Sequence, residues 1–174
     1  MKKIFAILTL MVILPIFSYA DNAMVGKPAP SFKIKSGDNQ ELSFSDVSGK
    51  TVVLFYETKA AKEKNRKLKD ELNKFYDSQP EAIKKNVVRL AVINCQGVIF
   101  SGAWESALKE NSKKEGIIIY GDWTGDMARD YKVKAKDSNV IIIDKKGVIR
   151  YYYSGQIEDK DITAIKSLLN TLLF

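Results

Sequence analysis

The sequence predicts an α/β domain in which a mixed central sheet is flanked by helices, a three-layer sandwich with an N-terminal β-hairpin. Strand and helix patterns alternate through the middle of the chain, which favours parallel strands joined by crossover helices. Turn sequences near both ends separate short apolar segments and predict antiparallel hairpins, so the sheet should be mixed. The length of 174 residues suits a single domain.

The first elements follow from this pattern. Phe32 to Lys35 and Glu41 to Phe44 are short alternating segments around Ser36-Gly37-Asp38-Asn39, a sequence typical of a hairpin turn. Thr51 to Tyr56 is a continuous apolar run and predicts a strand buried on both faces. Ala60 to Tyr76 has apolar residues at helical spacing with charges between them, which predicts the first long helix.

The middle of the chain repeats the alternation. Val87 to Asn94 predicts a second buried strand, and Trp104 to Lys113 predicts a helix after a glycine-containing loop. Ile117 to Tyr120 predicts a third strand, and Asp126 to Val133 a short helix. Strands and helices in this order indicate a parallel core.

The last segment closes the sheet. Val140 to Ile143 and Val148 to Tyr153 flank Asp144-Lys145-Lys146-Gly147, which predicts a second hairpin. Asp159 to Leu173 carries apolar residues at helical spacing and predicts a final helix packed on the sheet.

The first twenty residues have the pattern of an export signal. Lys2 and Lys3 form a basic start, Ile4 to Phe17 is an apolar run, and Ser18-Tyr19-Ala20 supplies small residues at a cleavage site. We expect cleavage after Ala20, with residues 21–174 forming one domain that is periplasmic or secreted and has no membrane segment. A retained membrane anchor is the alternative, but it needs about 18 to 20 uninterrupted apolar residues.

The composition excludes several kinds of chemistry. The chain has one Cys and no His, so intramolecular disulfides, His-based triads and zinc sites of clustered Cys and His are absent. We therefore expect no metal and no cofactor. The aspartates lack calcium-loop spacing and should cap helices or end strands; they are Asp122, Asp126, Asp130 and Asp144.

Several segments in order resemble a known superfamily. VGKPAPSF (residues 25–32), SDVSGKTVVLFYET (45–58) and NVIIIDKKGVI (139–149) resemble the thioredoxin-like domains of alkyl hydroperoxide reductases and exported thiol-disulfide oxidoreductases, the AhpC/TSA and TlpA-like groups. More narrowly, TKAAKEKN (58–65) and the strand ending at Asn94 resemble the YtfJ-like family of exported bacterial proteins. The resemblance implies a thioredoxin-like fold over the whole chain after the leader.

The same resemblance indicates where redox chemistry would lie. Redox members carry Cys-x-x-Cys at the start of the helix after the first core strand, where the helix N-terminus lowers a thiol pKa. Ala60 and Glu63 occupy those positions here, and Ala61 and Lys64 occupy the Thr and Cys positions of the peroxidase variant. Ser138 replaces the superfamily's cis-proline. These degenerate positions predict a thioredoxin fold without thioredoxin chemistry.

The single thiol, Cys95, follows the second core strand and has two interpretations. It lies at the carboxyl edge of a parallel sheet, where α/β folds place ligands, so it is the candidate nucleophile of a single-thiol enzyme. Cys is also a small apolar residue that is often buried, and residues 93–97 contain no cation to stabilise a thiolate. The structural interpretation is favoured.

A second candidate site lies at the start of the first long helix. Lys59, Lys62, Lys64 and Asn65 gather near a predicted helix N-terminus, where unpaired N–H groups bind anions. Lys in a first helical turn opposes the helix dipole unless something negative binds there. The alternative is an ordinary solvated helical face.

These observations predict a non-catalytic, exported binding or accessory protein of the cell envelope. The alternative is a single-thiol oxidoreductase or peroxidase that uses Cys95. The partner would be an unknown protein or a small anionic ligand. Nucleic acid is not expected, because basic and acidic residues are mixed and the leader exports the chain. An enzyme without a catalytic thiol, built from Asp, Glu and Lys, is a third possibility, but the sequence contains no recognisable arrangement of these residues that supports it. The sequence does not indicate the oligomeric state.

Overall fold

A computed structural model of the protein describes residues 23–174, and the predicted leader, Met1 to Ala20, lies outside the described residues. The described chain folds into a seven-stranded mixed sheet with helices on both faces, so the predicted α/β architecture is confirmed. The strands are β1 (Lys33–Ser36), β2 (Glu41–Ser43), β3 (Thr51–Glu57), β4 (Val87–Asn94), β5 (Ile119–Asp122), β6 (Asn139–Ile143) and β7 (Ile149–Ser154).

The sheet has the strand order β2-β1-β5-β4-β3-β6-β7. Strands β3, β4 and β5 are parallel, and the remaining pairs are antiparallel. Both predicted hairpins are confirmed, since Lys33 pairs with Ser43 in the first and Val140 with Tyr153 in the second. The carboxyl ends of β3, β4 and β5 therefore meet at one edge of the sheet.

The helices differ from the prediction at their ends, and the two short helices at residues 44–47 and 81–84 were not predicted. They are a 3-10 helix (Phe44–Val47), α1 (Arg66–Asp77), α2 (Glu81–Lys84), α3 (Ser101–Glu115), α4 (Asp126–Asp130) and α5 (Asp159–Leu173). The predicted start of α1 at Ala60 is wrong, because residues 59–65 form a series of turns. Among residues 23–174, no helix combines the length and apolar character that crossing a membrane requires.

The late start of α1 has a tertiary cause. The Nδ2 atom of Asn65 donates a 2.8 Å hydrogen bond to the carbonyl of Gly155, and its Oδ1 atom accepts a 2.8 Å bond from the N–H of Ile157. These bonds fix Asn65 outside helical geometry, at φ −112° and ψ 33°. Three nearby lysines would also oppose the dipole of a helix that began earlier. The helix therefore begins only at Arg66.

Alternate residues of β3 fill cores on opposite faces of the sheet. Val52, Leu54 and Tyr56 pack on the face covered by α4 and the N-terminal segment. Val53 and Phe55 pack on the other face against α1 and α5. A strand buried on both faces must be apolar along its whole length, which explains the continuous run that predicted it.

On the face of the sheet against which α1 packs, the strand β4 is only partly covered by helices. Its side chains Ala91 and Ile93 are half-buried on this face. Helix α3 packs nearby with Leu108 against Cys95 and Ile119, and α1 packs over β3. A cavity remains above β4 between the two helices.

Candidate functional site

The edge at which the parallel strands end holds the predicted redox positions. Ala60 and Glu63 are exposed in the turns before α1, and Glu63 pairs with Arg66 at 3.1 Å. Ser138 is fully buried directly before β6. Because Tyr56 pairs with Asn139 in the antiparallel register of β3 and β6, Ser138 comes beside Glu57, the last residue of β3.

Glu57 is the centre of a buried polar network at this edge. The hydroxyl of Ser138 donates a 2.6 Å hydrogen bond to Glu57 Oε1. The Nζ atom of Lys69, on α1, donates a 2.6 Å bond to Glu57 Oε2 and a 2.7 Å bond to the carbonyl of Lys62. Only 4% of Glu57 is exposed. Both carboxylate oxygens therefore have partners, and the network joins β3, α1 and the segment before β6.

Burial raises the pKa of Glu57, and this effect exceeds the opposing effects of Lys69, Ser138 and Arg66. Lys69 also lies over the ring of Phe55, with Nζ 5.3 Å from the ring centroid. Sequence reasoning missed Glu57 and Lys69. The available signal was an acidic residue at the end of an otherwise apolar run, followed by a lysine one turn into the next helix. An enclosed and fully paired carboxylate stabilises the edge and has no free oxygen for a reactant.

Cys95 lies just beyond β4, and only 1% of it is exposed. Its N–H donates a 3.0 Å bond to the carbonyl of Asp122. Burial, and secondarily the charge of Asp122, raise the pKa of the Cys95 thiol to about 12. A thiol with this pKa is protonated at neutral pH, and the thiolate is the nucleophilic form. The geometry therefore favours the structural interpretation of Cys95.

Asp122 ends β5 and begins the turn into α4, as expected for a helix-capping residue. Its carboxylate accepts bonds of 2.9 Å from the Tyr56 hydroxyl, 2.9 Å from the N–H of Gly125 and 3.0 Å from the N–H of Ala128. Burial and the carboxylate of Asp122 raise the pKa of Tyr56. The carboxylate thus ties β3 to β5 and to α4.

The predicted anion-site residues separate into two groups. Lys64 pairs with Asp137 at 2.7 Å and donates a 2.9 Å bond to the carbonyl of Lys136. Asn65 is buried and both ends of its amide bond to the loop after β7. These two residues attach the turn segment to the loops beside β6 and β7.

Lys59 and Lys62 have a different position. Both line the cavity between α1 and α3. Lys59 is exposed, and Lys62 is half-buried with Nζ 3.8 Å from a carboxylate oxygen of Glu63. Because α1 begins at Arg66, neither lysine lies in the first turn of the helix.

Comparison with known proteins identifies relatives of most of the domain. A model of the AhpC/TSA family matches residues 25–152. A thioredoxin peroxidase of Echinococcus granulosus is 30% identical over 138 residues, which cover 74% of this chain and 69% of that protein.

Solved structures give a consistent picture of the fold. The pneumococcal exposed lipoprotein thioredoxin of Streptococcus pneumoniae has a TM-score of 0.59 at 21% identity, covering 82% of this chain and 100% of that one. The reduced 2-Cys peroxiredoxin of Plasmodium vivax has a TM-score of 0.56 at 21% identity, covering 85% and 98%. At such identities the likeness establishes the fold, and the expected thioredoxin-like architecture is confirmed.

Proposed function

Because this chain belongs to the AhpC/TSA family, we propose that it retains the family's scaffold as an exported, non-catalytic binding or accessory protein of the cell envelope. Within the family we assign it to the YtfJ-like group, on the strength of TKAAKEKN and Asn94. Its export rests on the leader pattern of residues 1–20. The likeness to an exposed lipoprotein thioredoxin agrees with an extracytoplasmic location.

One observation carries the non-catalytic proposal. At the edge where the resemblance locates thiol chemistry, the chain has the closed network of Glu57, Ser138 and Lys69. Glu57 and Ser138 are buried, and both carboxylate oxygens are bonded within the protein. Thiol-disulfide exchange needs an accessible thiolate. This edge supplies none, because Ala60 and Glu63 carry no sulfur and the thiol of Cys95, just beyond β4, is buried.

The alternative function is a single-thiol peroxidase or oxidoreductase that uses Cys95. The related thioredoxin peroxidase of Echinococcus granulosus favours it. A catalytic role would require Cys95 to become accessible and its pKa to fall far below about 12.

A thiol-activity assay distinguishes the two functions. The purified protein and its Cys95→Ser variant are given hydrogen peroxide, an organic hydroperoxide and insulin disulfides, each with dithiothreitol as the reductant. We expect both proteins to give the rate of the buffer alone. A thiol reagent should titrate Cys95 stoichiometrically in guanidinium and only slowly in the folded protein. A rate above buffer that Cys95→Ser abolishes would overturn the non-catalytic proposal.

A further inference from the structure

A cavity of about 410 Å³ lies between α1 and α3 above β4. This volume is within the range of about 300 to 1,000 Å³ that is usual for small-molecule sites. Small side chains keep it open, since Ala91 lies on its floor and Ala103 and Ala107 lie on the α3 wall. The Glu57 network forms one end of the cavity, since Glu57 and Lys69 belong to its lining.

The interior of the cavity is mainly apolar. Strands and helices contribute aliphatic and aromatic side chains from both walls and the floor, including Phe55, Leu72, Ile93, Trp104, Leu108 and Ile119. Such a surface favours an apolar ligand by removing its hydrocarbon from water.

The polar residues of the lining are predominantly cationic. They include five cations and two carboxylates. Both carboxylates already have partners: Lys69 and Ser138 bond to Glu57, and Arg66 bonds to Glu115. The guanidinium of Arg66 donates two hydrogen bonds to the Glu115 carboxylate, from Nη1 to Oε2 at 2.7 Å and from Nη2 to Oε1 at 2.9 Å. These bonds join the start of α1 to the end of α3 beside the cavity. The remaining cations leave the lining with a net positive charge.

Two of these cations have no carboxylate partner among residues 23–174. Lys59 lies exposed in the turns after β3 and makes no salt bridge within the described chain. Arg89, near the start of β4, donates to the neutral Oδ1 of Asn73 at 2.9 Å and stacks 4.3 Å from the ring centroid of Tyr76. An anionic group at the cavity mouth would find an unpaired cation in Lys59.

We propose that this cavity binds a small amphipathic anion, a medium-chain carboxylate whose hydrocarbon lies over β4 and whose head lies beside Lys59 and Lys62. The proposal deepens the binding role given above and rests on it. A neutral apolar molecule would leave Lys59 and Lys62 at the cavity mouth without a counter-charge. An inorganic anion would leave the apolar side chains of the cavity exposed to water. Only a ligand with both parts matches the whole lining.

The fluorescence of Trp104 reports on the cavity directly. In a Trp123→Phe background, Trp104 is the only tryptophan of the chain. Titration with decanoate, below the concentration at which it forms micelles, should give a saturable change in Trp104 emission. Octanoate should bind roughly tenfold more weakly, because two fewer methylenes are buried. Decanol should bind more weakly than decanoate, and acetate should have no effect.

Three variants test the position of the ligand. Lys59→Ala should weaken decanoate binding about two- to fivefold without affecting decanol, because an exposed charge pair is worth little. Ala107→Phe should abolish binding of both by filling the cavity without adding a second tryptophan, and this exposed position should tolerate the change, which thermal unfolding checks. Lys145→Ala, on the exposed turn between β6 and β7, is the matched control and should bind as the parent does.

The outcomes separate the two proposals. Absence of a saturable change with decanoate, or unchanged binding in a folded Ala107→Phe variant, would overturn the cavity proposal while leaving the thiol assays as the test of the non-catalytic role. Equal affinity for decanol and decanoate would overturn the proposal that the cavity recognises an anionic head group. Cys95-dependent turnover in a protein that also binds decanoate would overturn the non-catalytic role and retain the cavity.

Discussion

The hydroxyl of Ser138 donates a 2.6 Å hydrogen bond to Glu57 across 81 residues of sequence, and both side chains are buried at the edge where the parallel strands end. Lys69 completes the pair from α1. In the redox members that this chain resembles, the same edge carries the thiols and the cis-proline. In this protein the ion pair of Glu57 and Lys69 and the hydroxyl of Ser138 lie at that edge. This arrangement gives the edge a structural role that can be measured as stability.

Removing Glu57 should destabilise the fold. In Glu57→Ala, Lys69 loses the carboxylate that compensates its partly buried charge, and Ser138 loses its acceptor, so the free energy of unfolding should fall by about 3 kcal/mol. Glu57→Gln should cost less, because the amide oxygen can still accept the hydrogen bond from Lys69 and the amide N–H can donate to Ser138 Oγ. Urea denaturation at neutral pH measures both effects.

A double-mutant cycle with Lys69→Met isolates the ion pair from the other effects of Glu57→Ala. The double variant should be more stable than the sum of the single losses implies. Glu41→Ala is the control, since Glu41 pairs with Lys33 at 2.8 Å on the exposed surface and its loss should change stability little. Equal effects of Glu57→Ala and Glu41→Ala would contradict the role of the network.

Asn65 should be a second point of structural importance. Asn65→Ala removes one buried and one partly buried hydrogen bond to the loop after β7, and we expect a loss of about 2 kcal/mol in the free energy of unfolding. The amide of Ile157 should then exchange with solvent faster. Urea denaturation and hydrogen exchange measure these effects.

The control for Asn65 is Asn86→Ala. The Asn86 side chain donates a single exposed bond of 3.1 Å to the carbonyl of Ala82, so its removal should have little effect. If Asn65→Ala matched this control, Asn65 would instead be available to a ligand, as the sequence analysis allowed.

The local pattern of apolar and polar residues was sufficient to predict most strands of the sheet. It was not sufficient to predict the polar network of Glu57, Ser138 and Lys69. The run of β3 is apolar because both of its faces are buried, so its sequence alone indicates its environment. The partnership of Glu57 with Ser138 depends instead on the register that pairs Tyr56 with Asn139, which joins segments far apart in the chain. No local signal specifies that register.

The start of α1 and the cavity were unpredictable for a related reason. The spacing of apolar residues predicted that the helix begins at Ala60, but the tertiary bonds of Asn65 prevent it from beginning there. The cavity exists because α3 and α1 pack over neighbouring strands and leave β4 uncovered between them. Both features depend on the placement of elements in space.

Restoring the sulfurs should not restore redox chemistry. In an Ala60→Cys, Glu63→Cys double variant, both thiols would lie in turns before Arg66, outside the N-terminal turn of α1. Without the helix dipole, and with the charges of Lys59 and Lys62 screened by solvent, the thiol introduced at position 60 should keep a pKa close to that of a free thiol. The pH dependence of its alkylation, in a Cys95→Ala background, measures this pKa. A value near 7 together with insulin reduction would show that the turn segment forms a helix when the thiols are present.

The thiol of Cys95 should make stability depend on alkaline pH. Its pKa is raised from an ordinary value near 9 to about 12 by burial, so above pH 9 the unfolded chain loses this proton while the folded chain keeps it. Its contribution to stability is therefore complete below pH 9 and is lost as pH rises toward 12, at about 1.4 kcal/mol per pH unit.

The comparison of wild type with Cys95→Ala isolates this effect, because buried tyrosines whose raised pKa values do not depend on Cys95, such as Tyr131 and Tyr152, are common to both proteins. Cys95→Ala should be less stable at pH 7, since it leaves a small cavity beside Leu108. Between pH 9 and pH 10.5 the stability of wild type should fall more steeply, so the two curves should converge. Parallel curves in urea denaturation would mean that the folded thiol ionises as an exposed one does, which would return Cys95 to the list of candidate nucleophiles.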